Sequence, residues 1–439
     1  MGLTKYPIIE GAIIKVVGIF DFNKKYEESL SSSLGYDAIP PIEYSHAQFY
    51  RDKYYKEFNE LMLTQDADNA IKAFEKYLNR PIKFKKGDIE VNAKVSLVEI
   101  KLFENNIGVF AITVEPERLT FEDISDCNFC FRMFSSLVIQ GESQILFHEW
   151  ISLNILGGKS LRSTSSQHVD SDDYSGSKFK IYTAISVKEG DETDYNRDEL
   201  LFELGTNAKL GSVSSKSYDS PSVDYFYEVM TNKVNPFNSS SGLALLDSYT
   251  VIGNDLFYLN GNLHRNNYSS YNHVYFSIYL YNLYIKYNVF RFNSKFKDDP
   301  VKFKGKFEDF INNYNFNYIS FDFLPNIIYS KMRQALGIEQ EIKLFEKRLN
   351  SLAANIQEEQ EKRQAALLGI ISIISSISAI EPILDTTEEI RQYSGLNNVL
   401  FYFLISIVLI LVGIPILSYL FPHHAKKVWK KVNLYFKND

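Results

Sequence analysis

Cysteine is nearly absent from this chain: among 439 residues only Cys127 and Cys130 carry a thiol. That excludes a disulfide framework, and with no second pair to complete four ligands it excludes a cysteine-only zinc site. Two buried helix residues in a reducing compartment are expected instead. Histidine is scattered. His46, His148, His168, His264 and His273 show no metal-ligand spacing, and His148-Glu149 lacks the second histidine of a zincin helix. No Gly-x-Ser-x-Gly elbow occurs. The reading is therefore no enzyme, no catalytic residue and no metal centre. Positive charge is also short. A net charge of -7 leaves no basic field to hold a long nucleic acid by counterion release. A small nucleotide stays compatible, because a pocket needs only a few local donors.

Other short signals fail on spacing. Lys159 and Arg162 in GGKSLRSTSS offer phosphate donors, but GGKS lacks the preceding glycine of a P-loop, and an ordinary loop is expected. Asp170, Asp172 and Asp173 cluster without the glycine and glutamate offsets of an EF-hand, which predicts a solvated turn. The opening residues lack a basic leader, since Glu10 and Lys15 interrupt the apolar stretch, so no cleaved signal is expected. Tyr6 stands where a myristoylation pattern wants Ser or Thr.

What is present begins as an α/β pattern. Residues 6–20 and 92–116 are rich in β-branched side chains, and SLVEIKLF followed by ENN and IGVFAITVE predicts a hairpin turning at Glu104, Asn105 and Asn106. HAQFYRDKYYKEFNELMLT and DADNAIKAFEKYLNR carry apolar residues at helical spacing and predict helices. TFEDISDCNFCFRMFSSL predicts a third helix, opened by a Thr-x-x-Asp cap. The Ser, Gly and Asp rich stretches GGKSLRSTSSQHVDSDDYSGS, GSVSSKSYDSPS and NPFNSSSG predict surface loops. Residues 272–293 are aromatic enough to suggest a membrane crossing, but Lys286, Arg291 and several asparagines oppose it. A charge at the bilayer centre costs about 2.5–3.5 kcal/mol, so a helix packed on the α/β core is expected.

The carboxyl-terminal part reads differently, although a mean hydropathy of -0.19 hides it. No proline separates Pro325 from Pro382, and Ala, Glu, Gln, Lys and Leu dominate between them. One continuous helix over 326–384 would span roughly 85–90 Å. Ile338, Ile342, Phe345, Leu349, Leu352 and Ile356 form a narrow apolar seam that suits a partner helix; the alternative is a helix lying on its own subunit. Residues 365–384 and 399–421 are apolar enough to cross a hydrocarbon layer of about 30 Å. A lone tail anchor is the competing reading. Lys426, Lys427, Lys430, Lys431 and Lys437 follow the second stretch, and Lys362 and Arg363 precede the first. The positive-inside tendency places both termini in the cytosol, with Trp429 in the interfacial belt. Ser372, Ser375, Ser376 and Ala379 share one helical face, which suits either a pore lining or close packing of helices. Glu381, Asp385, Glu388 and Glu389 would form an external acidic ring that concentrates cations, or simply a solvated linker.

The expected plan is an α+β or α/β cytosolic domain (1–324), a stalk helix (325–364), a first transmembrane helix (365–384), a short external loop (385–398), a second transmembrane helix (399–421) and a basic cytosolic tail (422–439). This arrangement, with the basic tail HHAKKVWKK, resembles the CorA family of divalent-cation channels. The resemblance covers about the last 115 residues. It implies a homo-oligomer, a pentamer in that family, in the inner (plasma) membrane, with lipid as its surroundings and a divalent cation such as magnesium as cargo. The family's Gly-Met-Asn element has its nearest counterpart in Tyr393-Ser394-Gly395-Leu396-Asn397. There Leu396 replaces Met, Ser394 intervenes after the tyrosine, and the string abuts the second span instead of closing the first. In lacking the motif the chain looks similar to the divergent CorA-like membrane effectors of type III CRISPR antiviral defence. That likeness implies a nucleotide messenger as the small-molecule ligand of the cytosolic domain. The expectation is thus a channel or membrane effector gated through its cytosolic domain; the alternatives are a magnesium transporter and a non-conducting membrane-tethered scaffold or enzyme.

Overall fold

In the computed structural model the described residues are 6–394, except 41–43, 65–70, 87–88, 133–135, 139–143, 160, 163–178, 189–194, 216–219, 260–261 and 296–299, together with 403 and 406. The chain divides into two compact units, residues 1–346 and 347–439.

The first unit is built on a twelve-stranded sheet. Its strands are β1 (Ile9–Asp21), β2 (Asp37–Ala38), β3 (Lys72–Lys86), β4 (Ile89–Phe103), β5 (Ile107–Pro116), β6 (Ser136–Val138), β7 (Ile145–Leu146), β8 (Leu161–Arg162), β9 (Lys180–Val187), β10 (Lys233–Phe237), β11 (Ser240–Ala244) and β12 (Ser248–Asn254). The order is β10-β11-β12-β9-β1-β5-β4-β3-β6-β7, with β2 on β3 and β8 on β1. β9 and β12 run parallel, and the other pairs are antiparallel. The helices are α1 (Lys24–Ser32), α2 (Tyr44–Arg51), α3 (Lys56–Phe58), α4 (Phe121–Arg132), α5 (Phe147–Trp150), α6 (Arg197–Thr206), α7 (Val223–Met230), α8 (Arg265–Ser269), α9 (Tyr275–Lys295), α10 (Pro300–Tyr314), α11 (Phe323–Ala335) and α12 (Ile338–Ser394).

One face of the sheet is apolar. Val16, Phe20, Val98, Ile100, Phe110 and Ile112 pack there with residues of α1, α4, α5 and α6 in a single core. At its centre two cross-strand pairs, Gly18 with Phe110 and Phe20 with Gly108, lay a ring over each glycine. A Cβ on either glycine would stand 2.3 Å from that ring, so no larger residue fits. The predicted hairpin is β4–β5, closed by Glu104–Asn106 with Asn105 and Asn106 at φ 67 and 61. Such left-handed positions favour asparagine in tight hairpins. The predicted cap is also present: the Asp123 amide donates to Thr120 Oγ1 at the start of α4, and both cysteines are buried in that helix.

DADNAIKAFEKYLNR, expected to be helical, supplies β3 instead. Seven residue pairings with β4, between Lys72 and Arg80, outweigh its helical spacing, because a sheet neighbour rather than local preference decides such a segment. A bulge between Tyr77 and Arg80, with Asn79 at φ 47, lets Ile82 and Phe84 reach the core. The NPFNSSSG stretch, expected as a loop, belongs to the β10–β11 hairpin; its small residues admit a neighbour, since a Cβ on Gly242 would lie 3.0 Å from the Tyr249 hydroxyl.

The other sheet face is covered by α9 and the helices around it. Ile278, Tyr279, Leu280, Tyr281, Leu283, Tyr284 and Ile285 are all buried, which means that α9 is enclosed on every side. The aromatic run at 272–293 is therefore a core helix, as expected. Asn282 and Asn288 donate from Nδ2 to the carbonyls of Ile278 and Tyr284 one turn back, which gives those donors a partner inside an apolar layer.

The expected continuous stalk is broken. α11 ends at Ala335 and α12 starts at Ile338, with Gly337 at φ +65 between them, the left-handed stop that glycine adopts without strain. Ile338, Ile342 and Phe345 of the seam are buried within the first unit, and the Phe345 ring lies 4.4 Å from Phe307 and 6.1 Å from Phe292. At its root the seam is thus covered by the chain's own helices, not by a partner helix.

In the second unit α12 continues through Pro382 to Ser394, so residues 385–394, expected as loop, are helical. Pro382 removes one backbone donor, but Glu388, Glu389, Arg391 and Gln392 favour the helix beyond it. Leu367, Leu368, Ile370, Ile371 and Ile374 are exposed on α12. Among the described residues no helix is long and apolar enough to cross a membrane. Residues 399–421, apart from 403 and 406, and the whole basic tail lie outside the described residues.

Candidate functional site

The polar face of the sheet holds charges where apolar strands would be expected. Alternation along β1 and β4 turns Lys15, Glu99 and Lys101 toward α9, and all three are buried. Lys15 Nζ stands 2.5 Å from Glu99 Oε2 and lies 4.2 Å above the Phe276 ring. It also donates to the Asn272 carbonyl at 3.2 Å, while Lys101 Nζ donates to Ser277 Oγ at 3.2 Å. Burial alone would raise the Glu99 carboxyl, but Lys15 and Lys101 outweigh it and hold it below the usual range. Burial pushes the Lys101 ammonium down to about 8, with Glu99 opposing. One strand out, burial first and Glu99 second push the Glu75 carboxyl up.

Above these charges the helical layer opens into a π-helical turn, Ser270–Val274, closed by the Tyr275 amide on the Ser270 carbonyl. The sheet accounts for the wide turn: the Tyr182 hydroxyl takes the Tyr271 carbonyl at 2.6 Å and Lys15 takes that of Asn272. Two carbonyls recruited by side chains favour the i→i+5 pattern, which recurs at functional positions. His273 sits beside them with an exposed face; its imidazole is held down to about 4, by the partial burial of the ring first and by Lys15 second.

From this seat α9 leads to the root of α12. Phe276 and Ser277 engage the charges at one end, and ten residues on, about 15 Å along the helix, Lys286 pairs with Glu341 of α12. Across the Gly337 break Arg333 donates from Nε to Glu339 at 2.9 Å, and from Nη2 it also donates to Asn315, just past α10, at 2.5 Å. A second network, Lys180 and Arg132 on Asp247 at 2.5 and 2.6 Å, ties β9 and α4 to the start of β12. These ion pairs and hydrogen bonds tie strand to strand and helix to sheet, and a shift in one is felt by the next.

The residues singled out in the sequence fall elsewhere. Ser372 and Ser375 lie exposed on α12, whereas the side chains of Ser376, Ala379, Glu381, Asp385, Glu388 and Glu389 are outside the described residues, as are Gly395, Leu396 and Asn397. Lys159 lies 5.4 Å from the Tyr26 ring, and Arg162 belongs to β8; the side chain of Arg162 and the acidic cluster at 170–173 are outside the described residues. His264 caps α8 through Nδ1. Among the described residues no group of three His, Cys, Asp or Glu could hold a metal ion. Motif spacing does not single out the buried charges, although Glu-x-Lys within SLVEIKLF puts both on one strand face and Lys15 interrupts an apolar strand. No family model matches this chain, and no curated protein or solved structure is significantly similar to it.

Proposed function

We propose that the chain is one subunit of an oligomeric, CorA-like membrane channel or effector gated through its α/β domain, with a nucleotide messenger as the trigger. In this reading the membrane is crossed by residues 399–421, which lie almost wholly outside the described residues, and by the stretch 365–384, of which only part of the side chains are described; both termini are cytosolic, and the bilayer is the plasma membrane. The observation that carries it is the run Leu367, Leu368, Ile370, Ile371 and Ile374, each at least half exposed on α12. Burying a side chain of this kind is worth about 1.5–3 kcal/mol, so such a run favours lipid or other copies of the same helix over water. The buried lysines that hold Phe276 and Ser277 of α9 on the sheet, and the Lys286–Glu341 ion pair that joins α9 to α12, support a gated mechanism, since a ligand-induced shift of the helical layer reaches the root of α12.

The full-length protein reconstituted in liposomes tests this. Ion flux that appears only with an added nucleotide is expected, together with a single oligomer mass in detergent. A monomer in detergent, or liposomes that stay sealed with every nucleotide tried, overturns the reading.

A further inference from the structure

Outside the buried charges, the first unit carries a cleft of ≈ 320 Å³ between the β4–β5 turn, α9 and α10. Its size falls at the lower end of small-molecule sites, adequate for one nucleoside with its phosphate. The floor is aromatic: Phe310 stacks on Tyr314 at 5.3 Å and lies 5.7 Å from Phe292, and all three are buried. The rim is rich in carboxamides, with Asn105 and Asn106 from the turn facing Asn313 from α10. Carboxamides offer a donor and an acceptor side by side, the pattern that reads the edge of a nucleobase, while the buried rings beneath give the cleft a fixed apolar base. Two cations complete the walls, Arg291 on α9 and Lys306 on α10. Arg291 already donates from Nη1 to the Asn105 carbonyl at 2.9 Å, which holds the turn against α9. Of the two acids, Glu104 accepts from the Tyr314 hydroxyl, while exposed Asp309 stands where a ribose hydroxyl can donate to it.

We infer that this cleft is a nucleotide site that takes a base between its carboxamides and a phosphate between Arg291 and Lys306. The floor makes it a lever. Phe292 touches Phe345 at the root of α12, and Phe307, on the same helix as Lys306, touches it more closely at 4.4 Å. A ligand that draws α10 toward the turn moves that contact. This deepens the ligand-gated reading above and rests on it for its consequence, though not for its binding chemistry.

Calorimetric titration of the detergent-purified full chain with AMP, GMP, adenosine and inorganic phosphate tests the assignment. Saturable binding of AMP or GMP is expected, tighter than that of adenosine or phosphate alone. Lys306→Ala should weaken the nucleotide about tenfold, the loss of one charge-assisted contact, and leave adenosine unchanged. Asn313→Ala should weaken nucleotide and nucleoside alike; both residues are exposed, so the fold tolerates the changes. The assignment falls if neither nucleotide binds saturably, if neither substitution alters binding, or if phosphate alone binds as tightly as AMP. Flux in liposomes of the same preparations separates the two ideas: nucleotide-triggered flux with no effect of either substitution removes the cleft and keeps the channel, whereas substitution-sensitive binding without flux keeps the cleft and removes the channel.

Discussion

Lys101→Met is the substitution whose outcome the buried charges determine most sharply. Lys101 is 9 % exposed, and burial lowers its ammonium from 10.5 to about 8, the Glu99 carboxylate only partly compensating. A group with a depressed folded value is protonated more readily in the unfolded chain. At pH 7 both states carry the proton, and holding it inside costs about 3 kcal/mol on the scale of 1.36 kcal/mol per unit. Methionine has nearly the same shape without the charge. It forfeits the hydrogen bond to Ser277, worth about 1 kcal/mol, while Glu99 keeps its partner Lys15. The net expectation is a stabilisation of about 1–2 kcal/mol at neutral pH. The sign of the pH dependence follows from the same linkage: between about 8 and 10.5 the unfolded chain binds more protons, so this group makes the wild type more stable as pH rises. The substituted protein lacks that rise, and the difference between the two proteins isolates it from other titrating groups. Urea unfolding followed by tyrosine near-ultraviolet dichroism at pH 7 and pH 10 measures both. A loss of more than about 1 kcal/mol at pH 7, or an alkaline difference that does not shrink, would refute the claim that Lys101 is a buried charge held at a cost.

Three further outcomes follow from other contacts. Phe345→Ala empties a fully buried site against Phe307 and Phe292 and should destabilise the first unit by about 3–5 kcal/mol, measured by the same unfolding assay. Gly337→Ala places a Cβ at φ +65 and should cost about 1 kcal/mol; hydrogen exchange in the first turns of α12 should accelerate if Gly337 sets the break. His273→Gln removes an imidazole held down to about 4 from 6.5, so the decline in stability as pH falls between those values should weaken, and a thermal-melt series that shows the same decline in both proteins would rule His273 out as its source.

Much of the first unit is legible in local patterns of the chain. The β4–β5 hairpin, the Thr120 cap, the buried cysteines and the core character of α9 rest on alternation, a short side-chain cap, and charges too costly for a bilayer. β3 is not legible in this way, since Phe74 and Leu78 keep helical spacing and the ladder with β4, joined by β2 and β6, makes the segment a strand. The seam at Ile338, Ile342 and Phe345 is plainly apolar in the sequence, but what covers it is not written there. The site is less legible still. Lys15, Glu99, Lys101 and Ser277 are up to 262 residues apart, and no spacing rule connects them.

By itself the sequence determined the α/β character of the first part, the long helix toward the carboxyl end and the apolar stretches beyond position 365, because each depends on residues within one or two turns of one another. The tertiary structure decided which strand faces carry charge, where the helix is interrupted at Gly337, and that the start of α12 rests on α9 and α10. The reason is that a buried charge or an apolar seam specifies only that a partner must exist. Which partner meets it depends on strand register and helix packing set far along the chain.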